Sequence, residues 1–283
     1  MAVHELPLDA ATLHGHFSRE LAPVLTVEPG DSVRFSTPDA GWYVARGERF
    51  AADEAEYHGH ALAGPIEIRG ARVGQTLAVR VDEVRPAAWG TTTAEGREVV
   101  WELDGGVGRA LGRTVELAPF LGVLGMPPAR PGRHSTIPPR RSGGNIDCKE
   151  LVAGATLFLP IPVDGALFSA GDGHARQGDG EVSGTAIETP VEAQVTLDLR
   201  DDFPLEWPAA RVEGAWLTFG FDDHLGLAAK IAADGMVSLM CREHGFDAEE
   251  ALAFASVVVD LRVTQVVNGV LGVHAVLRDD ALR

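Results

Sequence analysis

The chain is poor in cysteine. Among its 283 residues only Cys148 and Cys241 occur, and they form neither a CxxC pair nor a zinc-finger spacing. Thiols this sparse fit a reducing compartment, and a chain of this length needs no disulfide framework. Basic charge is also scarce: 24 Lys and Arg stand against 41 Asp and Glu, a formal net charge of -17. That argues against a nucleic-acid binder, which needs a basic face to displace counterions from phosphates, and against docking on an anionic membrane. No uncharged apolar run approaches the ~18–20 residues that span a bilayer. The opening Met1-Ala-Val-His-Glu-Leu-Pro has neither a basic n-region nor an apolar h-region. These readings predict a cytoplasmic protein with no nucleic-acid and no membrane partner.

Glycine and proline, by contrast, are plentiful at 33 and 17, which favours many turns and short elements over long helices. Val24 to Phe35 sets two β-branched segments around Pro29-Gly30-Asp31, and Ile66 to Val84 repeats the device, with apolar Ile66, Ile68, Leu77, Val79 and Val81 alternating with polar neighbours. Both passages read as hairpins of one sandwich or barrel. Gly90 to Gly96 reads as a loop. Pro119 to Pro139 reads as an extended surface connection, and the prolines at 160 and 162 argue against a central strand there. Val191, Ala193, Val195, Leu197 and Leu199 share one strand face. Helical spacing begins after Asp222-Asp223-His224, a candidate N-cap, and runs over Leu225 to Glu243, with Gly245 as its stop. Asp247 with Glu250 three residues on is a capping-box pattern for a second helix. Asn268-Gly269 between two Val-rich runs predicts a closing hairpin. The fold class is therefore mainly β, sandwich- or barrel-like, with a mixed α+β C-terminal part. Residues 1–200 would carry most of the site and 201–283 would pack against them, with a soft boundary.

Catalytic residue types concentrate between Arg141 and Glu188. Gly143 and Gly144 precede Asn145 and Asp147, and Gly171 to Glu181 reads GDGHARQGDGE. Alternating Gly with Asp, His, Gln and Glu suits neither strand nor helix, but it suits a pocket lining that approaches a ligand closely. The plain alternative is a set of turns in which Asp caps backbone N–H groups. As ligands, carboxylates and imidazole suit a hard or borderline divalent cation, which can polarise a carbonyl and activate water.

The passages Gly143–Asp147, Glu150–Thr156, Pro162–Phe168, Gly171–Glu181 and Gly184–Glu188 resemble the acetamidase/formamidase family. His14-Gly-His-Phe-Ser, Pro23–Val27, His60–Pro65, Val263–Asn268 and Gly272–Ala275 extend the resemblance over nearly the whole chain. The resemblance implies hydrolysis of a short linear amide to carboxylate and ammonia. It also implies a mainly β fold, a bound Zn²⁺ or Ca²⁺ and a homo-oligomer. Gly173 and Arg176 depart from the family's usual residues, and Cys148 stands at a position that varies in the family. Arg176 adds bulk and positive charge beside His174, which could narrow the pocket or select an anionic substrate.

Amide hydrolysis requires an activated nucleophile, oxyanion stabilisation and a proton for departing ammonia. His60, Asp147 and His174 are the expected metal ligands, Glu181 the expected general base with Asp179 as its substitute, and Asn145 and Gln177 the expected substrate-orienting amides. His14, His16, His224 and His274 are reserve ligands. Cys148 is a competing nucleophile, whereas Ser142 and Ser169 lack the GxSxG elbow. Two other functions stay open: a non-catalytic member that binds a small carboxylate or amide, and a hydrolase of another C–N bond.

Overall fold

A computed structural model describes residues 1–282. Its largest element is a nine-stranded sheet. Across that sheet the strands run Val3–Leu6, Asp31–Thr37, Val191–Arg200, Thr76–Pro86, Thr156–Pro160, Ala209–Val212, Ala215–Asp222, Leu271–Arg278 and Val259–Gln265. All neighbours are antiparallel except the first pair. The sheet thus takes strands from both sides of position 200. A second sheet orders Gly143–Asn145, Phe120–Gly125, Phe168–His174, Leu62–Ile68 and Leu13–His14, with Leu25–Val27 added in parallel to Leu62–Ile68. A four-stranded ribbon, Trp89–Ala94 to Arg113–Glu116, stands beside it.

Period-2 patterning builds the core. Val33, Phe35, Val79, Val81, Val195 and Leu197 of the first sheet join Ala63, Ile66, Ile68, Leu121, Leu124 and Phe168 of the second in one apolar cluster. Each such large side chain contributes roughly 1.5–3 kcal/mol when fully removed from water.

The far end of the nine-stranded sheet carries the helical layer. Helix α1, Leu225–His244, lays Ala228, Ala232, Met236, Leu239 and Met240 against Val273, Ala275 and Leu277. Gly220 lets the helix approach this closely, because a methyl group there would overlap the Ala228 carbonyl. The helix stops at Gly245 in the left-handed region (φ 72°), whose N–H donates to the Cys241 carbonyl. Asp222 Oδ1 accepts from the His224 N–H at its start. Helix α2, Ala248–Val258, opens with the capping box: Asp247 accepts from the Glu249 and Glu250 amides while Glu250 accepts from the Asp247 amide. The closing hairpin forms from Val259–Gln265 and Leu271–Arg278. Among the described residues no helix is long and apolar enough to cross a membrane.

Four expectations need correction. The two N-terminal turn passages are not hairpins: Leu25–Val27 and Leu62–Ile68 join the second sheet, whereas Asp31–Thr37 and Thr76–Pro86 join the first. Their Gly turns carry the chain from sheet to sheet, which strand patterning alone does not separate from a hairpin. Trp89–Ala94 is a strand rather than a loop, paired through its Thr residues to Arg97–Asp104. Phe120–Gly125 is a buried strand and not a surface connection. Thr156–Pro160 is central despite its proline, because Pro160 occupies its last position, where one missing donor does little harm.

Candidate metal and active site

The site is built around Gly122. It lies on Phe120–Gly125, between Gly143–Asn145 and Phe168–His174, and a methyl group there would collide with Asp172, Asp147 and His174. Asp172 and His174 are two apart on one strand and so share its face. Asp147 arrives just beyond Gly143–Asn145, tied down where the Ile146 and Asp147 amides donate to the Gly122 carbonyl. Glu181 comes from a loop anchored on the C-terminal hairpin, with the Gly180 N–H on the Thr264 carbonyl and the Val266 N–H on the Gly180 carbonyl. Glu188 is bridged to both Thr91 and His174. Asp147, Asp172 and Glu181 hold φ values of 53°, 61° and 45°. Left-handed backbone costs a non-glycine residue about 1–3 kcal/mol, and here it falls on three of the four converging acids.

The His174 tautomer follows from its neighbours. Gln177 Nε2 donates to the Asp147 carbonyl at 2.7 Å, which turns Gln177 Oε1 toward the ring, and His174 Nδ1 donates to that oxygen at 3.0 Å. Nε2 therefore carries the lone pair of the neutral ring. It lies 3.4 Å from Asp172 Oδ1 and 3.2 Å from Glu188 Oε2, in neither case aligned as a hydrogen bond. Asp147 Oδ1 lies 3.9 Å from Nδ1, and Asp147 Oδ2 accepts from Asn268 Nδ2 at 2.5 Å. Asp147 Oδ1, Asp172 Oδ1, Glu181 Oε2, Glu188 Oε2 and Asn145 Oδ1 are buried without a hydrogen-bond partner among the described residues. Orphaned buried carboxylate oxygens are costly unless a cation satisfies them.

The electrostatics agree. Burial, then repulsion from Asp172, raises Asp147 to about 7. Burial and the neighbouring Asp147 push Glu181 to about 10. Burial works against the charge of His174, but Glu188 and Asp172 outweigh it and hold the imidazole well above its ordinary value. Burial likewise opposes ionised Asp172, which His174 and His60 nevertheless hold low. Positive charge is in short supply, and two groups offer oxygen and nitrogen atoms within 4.8 Å of one another: Asp147, His174 and Glu181, and Asp172, His174 and Glu188. The donor set suits Zn²⁺ or Ca²⁺. A cleft of about 740 Å³ lined by Asp39, Tyr43, Arg46, Trp89, Thr91 and Glu188 meets this cluster at Glu188.

Asp147, His174 and Glu181 are thus brought together. His60 is half-buried at the edge, its Nδ1 2.9 Å from Thr136 Oγ1, near enough for its charge to act on Asp147 and Asp172. Asp179 pairs with Lys149 at 2.9 Å on a half-exposed rim, outside both groups. Asn145 is buried two residues before Asp147, and Gln177 spends both ends of its amide on His174 and Asp147. Arg176 is exposed and donates to the Glu116 carbonyl. Cys148 is fully buried, and burial, with Glu150 beside it, pushes its thiol well up. His14 bonds the His16 carbonyl and Ser169, and His16 pairs with Glu56, both apart from the acidic groups.

Sequence reasoning missed Asp172, Glu188, Asn268 and Gly122. Asp172 carried a usable signal, its i, i+2 relation to His174 on a strand. Asn268 carried none, because it reads as a hairpin turn and reaches Asp147 only through the tertiary fold.

A sequence profile of the acetamidase/formamidase family matches residues 4–108 and 112–208. An acetamidase of Mycolicibacterium smegmatis is 50% identical over 48 residues, 17% of this chain, and the match spans only 12% of that protein. An acetamidase of Bacillus halodurans superposes with a TM-score of 0.87 at 24% identity, covering 97% of each chain. One from Yersinia enterocolitica reaches 0.86 at 25% identity, covering 99% of this chain and 93% of that one. The profile match takes in Asp147, Asp172, His174, Glu181 and Glu188, and the superpositions show the shared fold over almost the entire length. The chain belongs to the acetamidase/formamidase family.

Proposed function

We propose that the protein hydrolyses a short linear amide, of formamide or acetamide type, to carboxylate and ammonia. The observation that carries this reading is the buried convergence of four carboxylates on one imidazole, with unpartnered oxygens, behind a cleft that meets them at Glu188. Family membership names the bond.

The residues that would hold a divalent cation are Asp147, His174 and Glu181 on one side and Asp172 and Glu188 on the other. His174 presents Nε2 because Gln177 fixes its tautomer. A cation held there would supply Lewis acidity toward the amide carbonyl and the attacking water. Glu181, held at about 10, is protonated at neutral pH and ionises only when positive charge stands beside it. Once ionised, it takes the proton of the attacking water as the O–C bond forms. It then returns that proton to the nitrogen as the C–N bond breaks, releasing ammonia and the acid. Asn145 Oδ1 is free to accept from the substrate NH₂, while Gln177 positions His174 and Asp147. The raised pKa and burial of Cys148 speak against a thiol nucleophile.

The same reading takes the protein as a homo-oligomer. The outer edge of Val259–Gln265, bridged to Gly180 at its Gln265 end, carries exposed Leu261 with neighbouring Phe254 and Val257, and offers apolar surface for it. The test is ammonia release from purified protein across formamide, acetamide and longer or anionic amides. Turnover of the small neutral amides is expected. Binding without turnover of any amide would establish the non-catalytic alternative, and turnover only of other C–N bonds the third reading.

A further inference from the structure

A second cluster begins one residue after Asp147. Cys148 Sγ lies 3.2 Å from Glu150 Oε2, and His274 Nε2 lies 3.7 Å from the same oxygen. The three ligand atoms fall within 4.8 Å of one another. Cys148 and His274 are both fully buried. The surroundings hold this triad in position. Arg262 takes the outer oxygen, Glu150 Oε1, at 3.2 Å and leaves Oε2 turned inward. Thr264 Oγ1 sits 2.9 Å from His274 Nδ1, the contact that orients a ligating imidazole. His274 Nε2 itself is buried with no hydrogen-bond partner among the described residues, aimed at the carboxylate and the thiol. A polar atom in that position wants either water or a metal ion. The nearby charges, Lys149, Asp179 and Arg262, bear on the same ring, and Lys149 and Asp179 neutralise each other in a pair.

We infer that Cys148, Glu150 and His274 form a second cation site, separate from the acidic cluster, that takes a borderline-soft divalent ion such as Zn²⁺. Thiolate, imidazole and carboxylate are a zinc donor set, and water completes four-coordination. Binding releases the thiol proton to solvent, with no change of oxidation state. The ion straps the Cys148–Glu150 turn to strand Leu271–Arg278, and so steadies Asp147 on one side of the strap and Asn268, beside that strand, on the other. The role is structural, and it does not depend on the amidase reading.

Sulfur separates the two sites, because the acidic cluster offers only oxygen and nitrogen. The experiment is X-ray absorption on the full-length zinc-loaded protein, with metal counting, followed by cobalt replacement. A sulfur scatterer at about 2.3 Å from zinc and a thiolate-to-cobalt charge-transfer band are expected. Cys148→Ala and His274→Gln should each lose the band and one ion per chain while keeping the other ion. If either variant fails to fold, the wild-type spectrum decides alone. A sulfur-free zinc environment and a cobalt protein without the band would overturn the site, as would retention of the full metal count by both variants. A sulfur signal with no oxygen- and nitrogen-bound ion would uphold this site and remove the acidic one.

Discussion

The α1-covered end of the nine-stranded sheet and the Gly122 sheet are both deeply buried, yet they spend burial differently. Under α1 the buried groups are Ala228, Ala232, Met236, Leu239 and Met240 against Val273, Ala275 and Leu277. The buried hydroxyl of Thr218 there is satisfied by the Ala232 carbonyl at 2.7 Å. Around Gly122 the buried groups are Asn145, Asp147, Asp172 and His174, with orphaned oxygens and left-handed backbone at Asp147, Asp172 and Glu181. One region gains stability from transfer out of water, and the other holds desolvated charge and strain in a fixed constellation. Strain and unpaired polar groups of that kind mark functional sites, maintained by the stability of the rest.

Substitutions should separate the two regions cleanly. Glu181→Gln should cost about 10²–10⁴-fold in turnover while leaving the melting temperature unchanged or raised, measured by ammonia release beside a thermal melt. A variant that keeps near-full activity removes Glu181 from proton transfer. Met236→Ala should do the reverse, losing about 2–5 kcal/mol in denaturant unfolding with kcat unchanged under conditions where it is folded. Equal losses of activity and stability in both variants would erase the distinction.

Glu56, apart from the acidic groups and paired with His16 and Arg133, gives a weaker test. Burial works against its charge, but the Gly15 amide, Arg133 and His16 overcome it and hold Glu56 at about 2, below its ordinary 4.5. A depressed carboxylate stabilises the fold above its unfolded pKa and loses that contribution as pH falls through the folded one. Glu56→Gln should therefore be less stable than wild type at neutral pH, and the gap should close between pH 4.5 and about 2. A gap independent of pH would show that charge is not what Glu56 contributes. The smallest effect belongs to the helical layer, where Asp247→Ala should cost about 1 kcal/mol by loss of the capping box and leave turnover untouched. A change in activity would show that α2 communicates with the site.

How far the sequence could be read differs between the same two regions. Helix α1, its Gly245 stop, the Asp247–Glu250 cap and the Asn268-Gly269 hairpin depend on contacts within a few residues, and local pattern reveals them. The allocation of Leu25–Val27 and Asp31–Thr37 to different sheets depends on long-range pairing, so turn chemistry alone misled. In the site, Asp147, His174 and Glu181 stood out because glycines flank them in a dense polar passage. Asp172 stood in the same passage and needed only the strand register. Glu188 and Asn268 arrive by bridges and hairpins that no local spacing encodes. Gly122 matters for the side chain it lacks, which becomes visible only when three neighbours crowd it.

The proposed function requires the orphaned oxygens around His174 to hold a divalent cation needed for amide hydrolysis. Its most direct test is ammonia release from acetamide or formamide by the purified protein before chelation, after chelation, and after return of Zn²⁺ or Ca²⁺, with bound metal counted at each stage. Turnover that vanishes with the ion and returns with it is expected. Undiminished turnover by protein stripped of metal would contradict it.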